Sequence, residues 1–222
     1  MFKELNETLY NSCGTENAKS VIKQKLGAMM NNDSLAEVQK VTGDVVKKAC
    51  LRMKPGKTDV SEGYSSDVFL HSPDILFDYF ANVFQSYLVH GTVTLQILVC
   101  AFMPLFKGGL KNPDEFKSYR AIAGVSQVLK MFENVVLEVW GSTLNSDSMQ
   151  FGYKAGTSTT QCSWLVMEVS NYFLRRGTAV TACLLDASMA FDKCRFDLLF
   201  EKLLSKGLPA IVVRTLVYVY EE

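Results

Sequence analysis

The segment Thr178–Leu185 and the aspartate that follows it limit most strongly what this chain can fold into. The segment is apolar and rich in β-branched residues, and Gly177 separates it from the helical pattern before it. This composition is typical of a strand buried on both faces of a sheet. A charged group at the end of a buried strand needs a partner or a metal ion, so Asp186 is the first candidate functional residue.

Two helices are predicted upstream of this strand. Ser72 followed by Pro73 is typical of a helix start, with the cap residue first and proline in the first turn. Gly91 is typical of the end of the same helix. Apolar residues over Val125–Val139 recur at helical spacing and predict the second helix.

Two further helices flank the Thr178–Leu185 segment. Ser158 and Gln161 have the spacing of a capping box and predict a helix start. Four residues are predicted to bury one face of that helix: Leu165, Val169, Tyr172 and Phe173. The last helix begins at Phe196 and is stopped by Gly207, and 210–220 is ambiguous between helix and strand.

The remaining segments complete a mixed pattern. Leu98–Phe106 is predicted to form a buried strand, and 107–119 a polar loop. Residues 1–53 are predicted to be helical, with a capping box at Ser34–Glu37, and the turn-rich stretch 54–66 marks the main boundary. The mixture of helices with a few buried strands indicates an α+β or α/β fold.

The net charge gives no argument for a nucleic-acid partner, and the cysteine spacing gives none for a zinc site. The formal net charge is zero, with 23 basic and 23 acidic residues, so only a local patch could indicate a nucleic-acid partner. The six cysteines include no C-x-x-C pair, and there are two histidines, so no zinc site is predicted.

Cys100 and Cys183 lie in apolar runs and are predicted to be buried, reduced thiols. The N terminus lacks a signal-peptide core, and we expect an intracellular chain with no membrane partner.

Asp186 has the chemistry of a metal ligand. A carboxylate beyond the end of a strand can hold Mg²⁺ against a triphosphate in phosphoryl transfer. From spacing alone another interpretation is favoured, in which Asp186 caps the following turn, because short motifs often arise by chance.

Several segments, in order along the chain, resemble the reverse transcriptases of non-LTR (LINE-type) retrotransposons. Asp186-Ala-Ser-Met-Ala-Phe-Asp192 is similar to the D-x-S-K-A-F-D signature that opens the palm of these enzymes. Tyr119-Arg-Ala-Ile122, followed by Leu129-Lys-Met-Phe-Glu133, is similar to the fingers motif Y-R-P-I…L-K-x-F-E.

Three more segments extend the resemblance to about 54–222. Gln150-Phe-Gly-Tyr153 with Ser158-Thr-Thr160 is similar to Q-F-G-F…S-T, and Lys54-Pro-Gly-Lys-Thr-Asp59 is similar to the K-x-x-G-x-D entry segment. Gly207–Arg214 also continues as the family does. The resemblance implies an incomplete right-hand polymerase fold of class α+β. Its fingers would be 54–177 and the start of its palm 178–222, after a helical N-terminal extension over 1–53.

The resemblance also implies roles for single residues. Asp186 would be the first metal-binding carboxylate of a two-metal polymerase that uses Mg²⁺. Phe191 would stack under the sugar of the incoming nucleotide and exclude a 2′-OH, although an ordinary core aromatic is the alternative. Arg120 and Lys107 would reach the triphosphate, and the alternative for both is a solvated loop.

The other implied contacts are with nucleic acid. Gln150, Gly152 and Lys154 would lie near template or primer, while Asp192 would cap the next helix. Five basic residues before the fingers either contact RNA phosphates or form a solvated face: Lys47, Lys48, Arg52, Lys54 and Lys57.

The chain departs from the family in three respects. Met189 stands where the signature has Lys, and Ala121 replaces the Pro that follows Arg120. The family's paired-Asp motif, which completes the metal site, is also missing, because no Asp-Asp dipeptide occurs. One carboxylate does not hold two Mg²⁺ ions, so we expect these 222 residues alone not to polymerise DNA.

Three functions therefore stay open. The first is a partial RNA-directed DNA polymerase whose partners are an RNA template, a DNA primer and deoxynucleoside triphosphates, in nucleus or cytoplasm. The second is a non-catalytic RNA-binding or interaction module derived from the fingers, which would not depend on Asp186. The third, an unrelated Mg²⁺ phosphohydrolase, is disfavoured because Ser188 stands where its second aspartate would be needed.

Overall fold

The computed structural model describes residues 24, 26–27, 40–59, 63–187, 190 and 193–221. These residues belong to two compact units. The larger unit extends to Thr143 and resumes at Phe196, and the smaller unit includes Leu144–Arg195. Helices and one sheet occur together, so the predicted α+β class is confirmed at the level of mixed helix and strand.

The larger unit contains most of the regular structure. Its helices are α1 (Gly43–Cys50), α2 (Ser66–Leu70), α3 (Asp74–His90), α4 (Leu95–Leu98), α5 (Gln127–Trp140), α7 (Phe196–Ser205) and α8 (Ala210–Glu221). Its strands are β1 (Ala101–Phe106) and β2 (Tyr119–Gly124), with 3₁₀ turns at Phe116–Ser118 and Gly141–Leu144. The smaller unit contains α6 (Thr159–Leu174).

Aromatic side chains form the centre of the larger unit. Phe84 on α3 is fully buried, and its ring lies 5.4 Å from that of Phe132 on α5 and 5.6 Å from that of Phe80. Tyr87 contacts both Phe84 and Phe132. Because α1 packs against α3 and α5, the same core includes the helix that the sequence places in the N-terminal extension. The predicted boundary after residue 53 stays a prediction.

Helix α8 is fixed to the end of α3 by an arginine. The Arg214 guanidinium donates hydrogen bonds to the carbonyl oxygens of Leu88 (3.1 Å) and Val89 (2.7 Å). Thr215, also on α8 and fully buried, donates to the carbonyl of Tyr87 at 3.3 Å. The two Arg214 bonds satisfy carbonyl groups that a helix end leaves without intrahelical partners, whereas the Tyr87 carbonyl also accepts the Gly91 N–H at 2.8 Å.

The helix predictions for the larger unit are largely confirmed. Helix α3 ends at His90, and Gly91 follows in the left-handed conformation with φ +69°. The predicted cap at its start is wrong, because Pro73 occupies the N-cap position. The Ser72 hydroxyl instead donates to the Val68 carbonyl, one turn back along the chain. The ambiguous segment 210–220 is helical.

The two strands form an antiparallel hairpin, the one sheet within the described part of the chain. A strand was predicted over Leu98–Phe106, but its first residue belongs to α4 and pairing begins at Ala101. The prediction that this strand is buried is wrong, since five of its six residues are exposed. Pro104 lacks an N–H to donate, and the two-stranded hairpin accommodates it because each strand is an edge.

In the smaller unit, the helix start predicted at Ser158 is confirmed. Both bonds of the capping box are present, from the Gln161 amide to the Ser158 hydroxyl and from the Ser158 amide to the Gln161 side chain. The predicted buried face is wrong: Leu165 is half-buried, and Val169, Tyr172 and Phe173 are exposed. Helical spacing fixes which side chains share a face, but it does not fix whether another element covers that face.

The strand predicted over 178–185 is not formed, although this segment would open the palm. Residues 178–187 belong to no helix or strand and are exposed, with Leu184 and Leu185 at 96% and 94% exposure. A strand is stabilised by hydrogen bonds to a neighbour, and no described residue pairs with this segment. β-branched composition alone is therefore not enough to form one.

Two other predictions concern burial and membranes. Cys100 and Cys183 are exposed, which contradicts their predicted burial. None of the described helices combines the length and apolar character required to cross a membrane. The capping box predicted at Ser34–Glu37 lies outside the described residues.

Candidate functional site

The β1–β2 hairpin brings together the two cations predicted to reach a triphosphate. Arg120 pairs directly with Leu105, and the Lys107 amide donates to the Ser118 carbonyl at 2.8 Å, which extends the pairing by one residue. Directly paired residues project from the same face of an antiparallel hairpin, as do residues two apart on a strand. Lys107 and Arg120 are therefore diagonal neighbours on one face, and both are exposed.

The three residues predicted to contact template or primer lie in one loop of the smaller unit. The Gln150 side chain donates to the Gly152 carbonyl at 3.1 Å, and the Lys154 ammonium donates to the Asp147 carbonyl at 3.2 Å. The intervening Tyr153 adopts φ +57° and is almost fully exposed. The loop is thus held by its own polar groups, while the Lys154 ammonium keeps donor capacity for a further acceptor.

Asp186 is exposed and lies in the smaller unit, in the segment without regular structure. The prediction that it projects from the end of a strand is wrong, because that strand is not formed. Phe191 and Asp192 lie outside the described residues. Among the residues that the structure does describe, no three His, Cys, Asp or Glu side chains are grouped so that they could hold a metal ion. The side chains described around Asp186 therefore do not form a complete Mg²⁺ site.

The entry segment that begins at Lys54 forms a turn held by side chains. The Ser66 hydroxyl donates to the Lys54 carbonyl at 2.8 Å and accepts from the Lys57 amide at 3.0 Å. The Gly56 amide donates to the Asp67 carboxylate at 3.0 Å. The pKa of Asp67 is lowered below its ordinary value, mainly by a hydrogen bond from the Ser65 hydroxyl and to a smaller extent by the bond from the Gly56 amide. The turn is thus pre-formed around its basic residues.

The last residue of that segment, Asp59, joins the turn to helix α5. Its carboxylate is buried and accepts the Gln127 backbone N–H at 2.9 Å, while its own amide donates to the Tyr64 carbonyl. The Ser126 hydroxyl accepts the next amide, that of Val128, at 3.2 Å. Two of the N–H groups that a helix start leaves without intrahelical partners are satisfied in this way.

An open cleft of about 360 Å³ lies between the entry turn and α5. Its lining residues are Arg52, Met53, Lys54, Lys57, Gln127, Lys130, Glu133 and Asn134. Four of these residues are cationic and one is anionic. Arg52 is also paired with Glu138. Lys47, another of the five basic residues noted before the fingers, is paired with Asp74 at 2.7 Å and does not line the cleft.

Glu133 is the one acidic residue in the cleft lining. Removal of its carboxyl from water raises the carboxyl pKa, and the nearby Lys130 opposes that shift. Whether or not this carboxyl is ionised, the four cationic side chains of the lining outnumber it. The cleft lining therefore has an excess of positive charge.

Sequence reasoning did not single out Gln127, Lys130, Glu133 or Asn134 as functional residues. One signal was present: Gln127 lies four residues before Met131 on α5, on the stripe that is buried, so a carboxamide occupies a core position. A polar residue on an apolar stripe needs a hydrogen-bond partner, and that need could have directed attention to this end of the helix.

Comparison with known proteins does not identify a family for this chain. Lys107 and Arg120 share a hairpin face, and Gln150, Gly152 and Lys154 share a loop, while Asp186 stands in an exposed segment. None of the protein-family models compared with the chain matches it, and neither does any of the curated proteins.

Proposed function

We propose that this chain supplies the fingers and the first palm carboxylate of an RNA-directed DNA polymerase of the non-LTR retrotransposon type. The observation that carries the proposal is the shared hairpin face of Lys107 and Arg120, the two cations that the resemblance assigns to the triphosphate. The ordered series of motifs from Lys54 to Asp192 supports it. The implied partners are an RNA template, a DNA primer and deoxynucleoside triphosphates, inside the cell.

The chemistry of the hairpin face suits a triphosphate. Arg120 offers a planar fork of donors that matches two phosphate oxygens, and Lys107 adds a compact point charge. The two strands, Ala101–Phe106 and Tyr119–Gly124, include no acidic residue, so they add no negative charge beside the arginine. In this proposal the face binds the triphosphate through charge, so binding there does not depend on which base the nucleotide has.

The chain alone is proposed to be inactive as a polymerase. Two Mg²⁺ ions in a nucleotidyl-transfer site are shared among several carboxylates, and Asp186 is the one carboxylate that the motifs assign to this role. The 222 residues include no Asp-Asp dipeptide. We propose that catalysis requires further carboxylates in addition to those of this sequence.

The purified chain is expected to bind an RNA template annealed to a DNA primer without extending it. Binding would be followed by fluorescence anisotropy across a salt series, and extension by incorporation of labelled dTTP with Mg²⁺. Changing Lys154 to Ala removes one cation from the predicted nucleic-acid loop, so the slope of log K against log salt should fall by about one. Lys193→Ala is the matched control, an exposed lysine of the same unit, and should leave the slope unchanged.

Two outcomes would count against this account. Absence of saturable binding to the hybrid would overturn the assignment to reverse transcriptase fingers. Templated extension of the primer by the purified chain would overturn the claim that these residues lack a complete metal site.

A second candidate function is a non-catalytic RNA-binding module. The positively charged cleft beside the entry turn favours it, because binding there would not involve Asp186. Under both functions we expect Asp186→Ala to bind RNA with the same affinity as the wild-type chain. A change in RNA affinity in that variant would exclude the second candidate.

A further inference from the structure

The cleft between the entry turn and α5 contains a buried donor without an acceptor. Gln127 is 1% exposed, and its side-chain Nε2 has no hydrogen-bond partner within the described part of the chain. Buried amide groups in folded proteins are almost always paired, so an unpaired one indicates an acceptor other than the residues described here. Gln127 is one of the residues that line the cleft, and because its Nε2 is closed to solvent, the carboxamide must turn toward the cleft to meet an acceptor there.

The backbone of Gln127 is held in this position by hydrogen bonds. Its backbone N–H is bound by the buried Asp59 carboxylate, and Ser126 caps the same helix end. The opposite wall, from Lys54 to Lys57, is fixed by the bonds of Ser66. A binding site whose backbone is already ordered on both walls loses less conformational entropy when a ligand binds than one that must first form.

The charges of the cleft favour an anion with several oxygens. Lys54 and Lys57 approach from the turn and Lys130 from the helix, and each ammonium is a compact donor without a fixed plane. A tetrahedral phosphate presents acceptors in several directions and therefore suits donors that come from separate walls. Arg52 adds less, because Glu138 pairs with it.

From this geometry we infer a phosphate-binding site between the entry turn and α5, with Gln127 donating to one phosphate oxygen and Lys54, Lys57 and Lys130 balancing the charge. The site goes beyond the proposed polymerase function, because it includes neither Asp186 nor the hairpin cations. The phosphate could belong to the backbone of single-stranded RNA or be free phosphate, and both present the same oxygens to the cleft.

The test is an NMR titration of the full chain, which follows the side-chain N–H₂ signals of Gln127. Inorganic phosphate is the first probe, and a short oligouridylate without terminal phosphates is the second. Phosphate is expected to shift the Gln127 signals, and Lys57→Ala to weaken that binding about tenfold, as loss of one charge-assisted contact would. Lys48→Ala is the matched control, an exposed lysine outside the cleft lining, and should leave the affinity unchanged.

The two probes distinguish the sources of the phosphate. Tighter binding of oligouridylate, with the same loss in Lys57→Ala, identifies the RNA backbone, whereas binding of phosphate alone identifies a free anion. Gln127→Leu keeps the side-chain volume and should weaken both probes. Lys111→Ala, which removes an exposed lysine from the loop between the two strands, should affect neither probe.

The inference is overturned if neither probe shifts the Gln127 signals, or if Lys48→Ala weakens binding as much as Lys57→Ala does. The second result would show general attraction between charges and not a built site. Should Gln127→Leu fail to fold, the comparison of Lys57→Ala with Lys48→Ala still decides the question.

Discussion

Replacing Phe84 with alanine is expected to lower the free energy of unfolding by about 3–5 kcal/mol. The Phe84 ring is fully buried and contacts three other aromatic rings, those of Phe80, Tyr87 and Phe132. Its removal leaves a cavity between α3 and α5 that rigid neighbours cannot fill completely, so both the transfer energy and the packing contacts are lost. A loss of this size is a large part of the stability of an ordinary domain.

Urea denaturation would measure this loss, with Trp140 as the reporter. Trp140 is buried on α5 in the larger unit, and a Trp164→Phe background removes the second tryptophan, which belongs to the smaller unit. Ile75→Ala is the matched control on the same helix, because Ile75 is 76% exposed and should cost no more than about 0.5 kcal/mol. Equal losses for the two variants would contradict the described core.

Replacing Gly91 with alanine is expected to cost about 2–4 kcal/mol, from two separate causes. An alanine at φ +69° is strained by about 1–2 kcal/mol, because its Cβ approaches the following carbonyl. The same Cβ would overlap the Arg214 side chain, which bonds the carbonyls of Leu88 and Val89. The guanidinium must then move, and the contact between α3 and α8 is weakened.

A control variant separates the two causes. Gly207 has φ +86°, and no atom lies within 4 Å of an added Cβ, so Gly207→Ala should cost only the conformational strain of about 1–2 kcal/mol. Combining Gly91→Ala with Arg214→Ala in a double-mutant cycle should show coupling, since the overlap disappears with the arginine. Purely additive losses in that cycle would exclude the overlap as a cause.

Features that depend on a few neighbouring residues were predictable from the sequence. The capping box at Ser158 and Gln161 forms because each residue satisfies the backbone amide of the other, within a single helical turn. Gly91 ends α3 for an equally local reason, since glycine adopts a left-handed conformation at little cost. At Ser72 the same local reasoning was wrong, because its hydroxyl bonds back to the preceding turn.

Features that depend on distant partners were not predictable. The strand expected over Thr178–Leu185 needs a neighbouring strand, and the exposed face of α6 needs a covering element, neither of which a local pattern specifies. Likewise Asp59 and Gln127 are 68 residues apart, so neither spacing nor periodicity could reveal that they meet. The cleft beside them is therefore a product of tertiary structure.

The candidate site residues also differ in how far the sequence could predict them. Arg120 could be identified from the fingers motif and Lys107 from the loop before it, and the hairpin register then showed that they share a face. Asp186 was identified from its motif, but its predicted position on a strand was wrong. The phosphate cleft was only partly foreseen, since the basic residues of the entry segment were noted while the donors on α5 were not.

The most direct test of the polymerase account is the affinity of the chain for dTTP, measured by calorimetry with EDTA present to exclude metal ions. We predict saturable binding that Arg120→Ala weakens about 10-fold or more, since a charge-assisted pair of bonds to phosphate is lost. Lys111→Ala, which removes an exposed lysine from the loop between the strands, should leave the affinity unchanged. Equal affinities for Arg120→Ala and the wild-type chain would contradict the assignment of this hairpin to polymerase fingers.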